Sequence, residues 1–349
     1  MNKLSKISLT ALCGSLATLT AVKAGELSIA GSATMTMTKK SGASTGNPLG
    51  MKSNITFSGS GELDGGQTVG LNITHNDKNV YSSADMSLTT NSLGTWKLTQ
   101  GTGGAGIGGY DDNMPRAFEE AWDTGIGSGV DLAKGVGSST TVSLKTPAVL
   151  GTTLQFAWAP RNDGAQNSDK GGSGTANAQA GNGYDIVLDS SQDFGAFGAD
   201  LFVGYSTTEQ PNTSEVAGGD AMKDREEGTA GITLSLGPIK AGYQRTLEYT
   251  GQNQVATDVF GYKNTSWGVS FNVNDNLSVS YAEFESLRGL VEGTSGIARP
   301  ITTVESIQAA YTMGGVSLKV ALNDLDNGTY TTGSANDAES SLVLLSLAF

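Results

Sequence analysis

From Leu27 to Met37 this chain alternates. Leu27, Ile29, Gly31, Ala33, Met35 and Met37 are apolar or small, and Ser28, Ala30, Ser32, Thr34 and Thr36 lie between them. A period of two gives a β-strand one apolar and one polar face. The rhythm returns through Ile55 and Phe57, Val69 to Ile73, Ala84 to Leu88, Trp96 and Leu98, Val142 and Leu144, Leu154 to Trp158, and Tyr184 to Leu188. It goes on through Phe197 to Tyr205, Ile232 to Leu236, Ile239 to Tyr243, Trp267 to Val273, Leu277 to Tyr281, Ile307 to Met313, Val316 to Leu322, and Val343 to Phe349, making sixteen segments. The connections are ordered too. Tight turns such as Asp64-Gly65-Gly66, Gly237-Pro238 and Gly314-Gly315 alternate with long polar loops such as 161–183, 209–227 and 288–300, and only 76–79 is short where a long loop is due. An antiparallel meander through a membrane has this form. Strands in lipid can leave no backbone N–H or C=O unpaired, so the sheet must close. The expectation is an all-β fold, a sixteen-stranded antiparallel transmembrane β-barrel, wide enough for an aqueous channel.

One stretch breaks the rhythm. Residues 101–139 do not alternate, and near forty residues is far above the usual connection length, which marks a functional or disordered segment. Its middle can fold. Phe118 and Trp122 are four apart, Pro115 suits a first helical position, and Asp111, Asp112 and Asn113 precede it as capping residues. We expect a loop with one short helix over Met114–Trp122, folded into the barrel lumen.

The composition agrees. With 49 glycines, abundant Ser and Thr, and only 16% charged residues, the chain suits strands and tight turns better than helical bundles. Lys3 and Lys6 precede a modest apolar run to Val22, and Val22 and Ala24 make a cleavage site, so residues 1–24 read as a cleaved signal peptide and 25–349 as the barrel. Cys13, the only cysteine, lies in that leader, which leaves no disulfide to stabilise an exported chain. The net charge of −13 disfavours nucleic acid and favours cations.

On the strands, Trp96, Trp158, Tyr184, Tyr205, Tyr243 and Trp267 fall near segment ends, as interfacial girdles do. The apolar face reads as almost free of charge. Lys97, Lys145, Lys240 and Lys319 take the opposite parity and so belong to the pore wall. Two features do not fit. Phe202 has the lumen's parity, and the parity slips between Tyr262 and Trp267, where a β-bulge is expected.

Four segments together carry a resemblance: Ala24–Thr36 (AGELSIAGSATMT), Tyr110–Gly125 (YDDNMPRAFEEAWDTG), Tyr262–Gly268 (YKNTSWG) and the terminal Phe349. The chain resembles Gram-negative general-diffusion porins, especially the sixteen-stranded trimeric porins of alphaproteobacteria. The resemblance implies a homotrimer in the outer membrane, in contact with its lipid and lipopolysaccharide. It also implies recognition of the last strand during barrel assembly, and a third outer loop folded inward as a constriction. The chain departs from the family in lacking a dense arginine ladder.

Within the 101–139 loop, Asp111, Asp112, Glu119, Glu120 and Asp123 face one cation, Arg116. In a narrow, water-filled neck such a cluster favours cations, since the Debye length of about 8 Å is comparable to a pore radius. We expect Asp112 to be structural and Glu119 and Asp123 to face the lumen. The function expected is passive diffusion of ions and small hydrophilic solutes, weakly cation-preferring, without enzymatic activity or cofactor. The alternatives are a channel selective for a sugar or amino acid, and a secreted β-rich adhesin. Other patterns carry less. Gly101, Gly103 and Gly106 match a dinucleotide-binding spacing, but no βαβ unit follows. His75, the only histidine, would have to serve any Ser–His or Asp–His catalysis, yet its parity puts it outward at the rim. Asp324, Asp326 and Asn327 resemble the opening of a calcium loop, but Ala335 stands where the closing Glu belongs, so at most the acidic outer loops bind Ca²⁺ loosely.

Overall fold

The computed structural model describes residues 27–41, 47–77, 83–100, 105–137, 139–162, 181–210, 223–252, 259–290 and 299–348. The leader with Cys13, the glycines Gly101 and Gly103, and Phe349 lie outside these residues. Sixteen strands follow in order: β1 (Ser28–Lys40), β2 (Leu49–Glu62), β3 (Thr68–Asn76), β4 (Ser83–Thr90), β5 (Gly94–Gln100), β6 (Thr141–Lys145), β7 (Thr152–Ala159) and β8 (Gly183–Asp193). The second half comprises β9 (Gly198–Thr208), β10 (Arg225–Leu236), β11 (Ile239–Tyr249), β12 (Val259–Asn272), β13 (Leu277–Leu290), β14 (Ile301–Met313), β15 (Val316–Asp326) and β16 (Ala338–Ala348). Each pairs with its chain neighbours, and β1 pairs with β16 from Ser32 opposite Ala348 to Lys40 opposite Ser340, closing the barrel. Closure pairs the edge groups that lipid could not satisfy.

The alternation decides which side is which. Met86, Phe156, Ile186, Leu234, Leu318 and Leu345 are exposed on the outside. A belt of exposed apolar side chains on a closed barrel is stable in lipid and not in water. Among the described residues the inside holds no single packed core. Its buried apolar residues form separate patches, Ala157 and Ala159 with Val136, Val187 with Ile107, and Phe284, Val304 and Leu325 with Ala121 and Ile126. Each patch joins the wall to the 101–139 loop.

Two expectations need correction. The outer face is not almost free of charge. Glu283, Glu305, Asp324 and Glu339 are opposite one another across β13 to β16, with the parity of outward-facing Ile307 and Leu322. The strands run several residues past their apolar stretches, and the extensions carry the acids. Nor does a bulge lie between Tyr262 and Trp267. The register to β13 is continuous from Gly261 to Asn272, and the irregularity falls between Val259 and Gly261. Tyr262 simply faces inward and packs on Tyr330, ring centroids 5.6 Å apart. Asp324 and Asp326, which open the incomplete calcium-loop pattern, lie in β15.

Candidate pore constriction

The 101–139 loop enters the barrel between β5 and β6. Its helical content among the described residues is two short 3-10 turns, Gly106–Tyr110 and Ala121–Asp123. They flank Met114–Glu120, where a helix was expected and the chain is irregular instead. The reason is competition for backbone groups. Gln244 on β11 accepts the Asn113 N–H at 2.7 Å through Oε1 and donates through Nε2 to the Tyr110 carbonyl at 2.6 Å. Ser280 on β13 accepts the Ala117 N–H, and Gln308 on β14 accepts those of Phe118 and Glu119. N–H groups held by wall side chains do not make the i to i−4 bonds of a helix.

Small residues on the wall make room. A Cβ on Gly242 would lie 2.6 Å from Pro115 Cδ, and one on Gly268 would lie 2.8 Å from the Pro115 carbonyl oxygen. One on Gly204 would lie 2.7 Å from Ile107 Cγ2. These inward glycines on β9, β11 and β12 form a trough that receives the loop. Two wall acids clamp its ends. Asp185 Oδ2 accepts the N–H groups of Ile107 at 2.9 Å and Val136 at 3.2 Å. Glu227 accepts those of Lys134 and Gly135 at 2.7 and 3.0 Å. Phe202, the residue of unexplained parity, lies under Tyr110 with ring centroids 4.9 Å apart, and Tyr110 Oη donates to Asp189 at 2.7 Å.

The acids divide by position. Asp112 is buried and accepts the Met114 N–H at 3.2 Å; burial pushes its pKa up to about 6. Asp111 accepts the Asp112 N–H at 2.8 Å, and burial raises its pKa as well. Arg116 is paired with Glu120 and donates to the carbonyls of Asp112 and Met114, so it braces the loop more than it lines a passage. Glu119, Glu120 and Asp123 form the cluster, with carboxylate oxygens within 4.8 Å of one another. Partial burial, then a hydrogen bond and like charge from Glu120, push the Glu119 pKa up to about 8. Burial and Glu120 also raise Asp123, against the pull of Lys52. Three carboxylates this close cannot all ionise freely and readily share a proton.

Of the lysines expected on the pore wall, Lys97 lies 3.8 Å from Asp85, and Lys319 sits over the Phe118 ring, 5.3 Å from its centroid. Lys145 and Lys240 stand exposed at the short-turn ends of β6 and β11. Lys40 and Lys52 were not singled out in the sequence. Lys40 donates to the Ile126 carbonyl, and Lys52 lies near enough to Asp123 to act on its charge. Loop contacts run from β7 round to β15 and β1, and the inward faces of β2 to β5 bound the rest of the lumen. Those faces carry hydroxyls and amides, with Thr56 bonded to Thr74 and Asn72 to Asp85, each at 3.0 Å, and the charged Lys52, Asp85 and Lys97 lie among them.

No protein-family model and no curated protein sequence matches this chain. Solved structures do. OmpF of Salmonella typhi, in complex with daunomycin, superimposes with a TM-score of 0.68 at 14% identity, over 93% of this chain and 98% of that one. The anion-selective porin from Comamonas acidovorans gives 0.62 at 16% identity, over 93% and 100%. A mutant porin of Rh. blastica gives 0.56 at 14%, over 93% and 100%. The fold is that of the sixteen-stranded porins.

Proposed function

We infer that this porin-fold barrel is a passive, water-filled channel of a Gram-negative outer membrane, open to ions and small hydrophilic solutes and weakly cation-preferring. The fold alone does not set the sign of selectivity, since one neighbour of the same architecture is named anion-selective. The sign comes from this chain's own neck. The observation that carries the reading is the grouping of Glu119, Glu120 and Asp123 on the constriction loop, opposite a wall of hydroxyls and amides. Acidic side chains at a constriction raise the local concentration of cations and repel anions. Lys52 and Lys319 temper the field, which keeps the preference weak. Nothing in this mechanism requires chemistry, a resident cofactor or a permanent metal ion. As in the family that the sequence resembles, the working form is a homotrimer embedded in lipid and lipopolysaccharide. The test is the reversal potential in planar bilayers under a salt gradient. Replacing Glu119→Gln and Asp123→Asn together should move it toward zero, and an unchanged potential would remove these residues from the selectivity filter.

A further inference from the structure

We propose that the last outer connection, residues 327–337, is a strap that sets the position of the constriction loop, with Tyr330 as its positioning residue. The proposal rests on the channel reading above. A connection between β15 and β16 would ordinarily project away from the mouth. This one turns inward at the expense of its backbone. Asn327, Thr329 and Tyr330 all have left-handed φ, at 52°, 56° and 57°. A β-branched and a bulky aromatic residue rarely adopt that region, and they persist there only where surrounding contacts hold them.

Those contacts lead to the constriction loop. The Thr329 N–H donates to the Ser128 carbonyl at 2.8 Å. A Cβ at Gly129, itself at φ +68°, would lie 2.6 Å from the Thr329 methyl, so the loop passes the strap without a side chain. Thr302 on β14 holds the strap's base. Its Oγ1 accepts the Tyr330 N–H at 3.1 Å and donates to the Asn327 carbonyl at 2.7 Å.

At the centre is a closed cycle of hydrogen bonds. The Asp131 N–H donates to Tyr330 Oη at 3.0 Å. Ser286 Oγ donates to Asn264 Oδ1 at 2.5 Å, so its 2.8 Å bond with Tyr330 must take the tyrosine's proton. Asn264 Nδ2 donates to the Asp131 carbonyl at 2.8 Å, which returns the chain of donors to Asp131. One residue of the loop thus has both its N–H and its C=O held, one by the strap and one by the wall. Around the cycle, the Tyr330 ring packs on Tyr262 and lies 5.0 Å from the Arg288 guanidinium. Tyr262 and Asn264 belong to the Tyr262–Gly268 segment, whose place in the molecule the channel reading leaves unexplained. Neighbouring Val130 and Leu132 pack on the cluster that holds Ala121 and Ile126. A shift at Asp131 therefore moves the limb that carries Glu119 to Asp123.

The test uses purified full-length protein in planar bilayers, reading open-channel current noise and the voltage at which channels close. Tyr330→Phe and Asn264→Ala each break the cycle from a different side. Each should raise the noise several-fold and lower the closing voltage, and the double variant should be no worse than either single one. That non-additivity separates a shared cycle from two unrelated losses of stability. A Ser128→Cys, Thr329→Cys pair, oxidised to fasten the strap, should quieten the channel, with the noise returning on reduction. Single variants with wild-type noise and closing voltage, effects that add in the double variant, or a cross-link without effect would each overturn the strap. Failure of the wild-type protein to form channels would instead overturn the channel reading.

Discussion

Gln308 on β14 holds the backbone of Glu119 from both ends, accepting its N–H at 3.1 Å and donating to its carbonyl oxygen at 2.6 Å. Glu119 is thus placed by a neutral, buried amide on the wall, so on the channel reading the aim of its carboxylate depends on a residue away from the solute. Gln308→Leu would leave the N–H groups of Phe118 and Glu119 and the Glu119 carbonyl without their partner. A buried group so orphaned costs about 1–3 kcal/mol. We expect the barrel to assemble, with a lower temperature for its heat-modifiable transition on gels and a less steady open-channel current. Gln308→Glu, which keeps the accepting oxygens but loses the donor, should fall between Leu and wild type.

Phe202 and Tyr110 form the second anchor. Phe202 is almost fully buried, although it faces the lumen. Truncating a buried Phe to Ala costs about 3–5 kcal/mol. Phe202→Ala should therefore release the first turn of the loop, measurable as a lower melting transition and a larger or multi-level single-channel conductance. Phe202→Leu should do much less.

The Glu119 pKa, raised to about 8 by burial and by Glu120, gives the neck a pH dependence. Below that pH Glu119 holds its proton and is neutral; above it the neck carries one more negative charge. Cation preference should therefore increase as pH rises from about 7 to about 9, by the ionisation of a carboxyl whose unperturbed pKa is about 4.3. Reversal potentials measured across this interval should show the step, and Glu119→Gln should abolish it. A step that survives in Glu119→Gln would assign it to another group.

Gly242 tests the trough. A Cβ there would meet Pro115 Cδ at 2.6 Å and Met114 Sδ at 3.2 Å. Gly242→Val should push the loop off the wall and reduce conductance, whereas valine at Gly228, where the nearest neighbour is 3.8 Å away, should leave the conductance unchanged.

Much of this was legible in the sequence, and the two-residue rhythm explains why. Strand parity is a local property, so the sixteen strands and their order could be read from short windows. What the windows missed lies in long-range pairing. Phe202 looked like an error of parity because its partner, Tyr110, is ninety-two positions away in the chain. The helix expected over Met114–Trp122 follows local preference, but Ser280 and Gln308 take its backbone donors from more than 160 residues further on. The outward acids Glu305 and Asp324 were missed because apolar alternation marks where a strand meets lipid and not where it ends. One signal could have been used. Gln244 and Gln308 are long amides at inward positions amid smaller residues, and side chains of that kind reach across to satisfy another segment's backbone.

On the channel reading the barrel encloses a wet passage whose narrowest part is made negative by the Glu119, Glu120 and Asp123 cluster, Glu119 adding its charge above about pH 8. The most direct measurement is a planar-bilayer recording of the purified wild-type protein under a potassium chloride gradient. Stepwise, ohmic conductance increments and a reversal potential displaced modestly toward that of potassium are expected. Absence of conductance steps, or a displacement toward chloride, would contradict it.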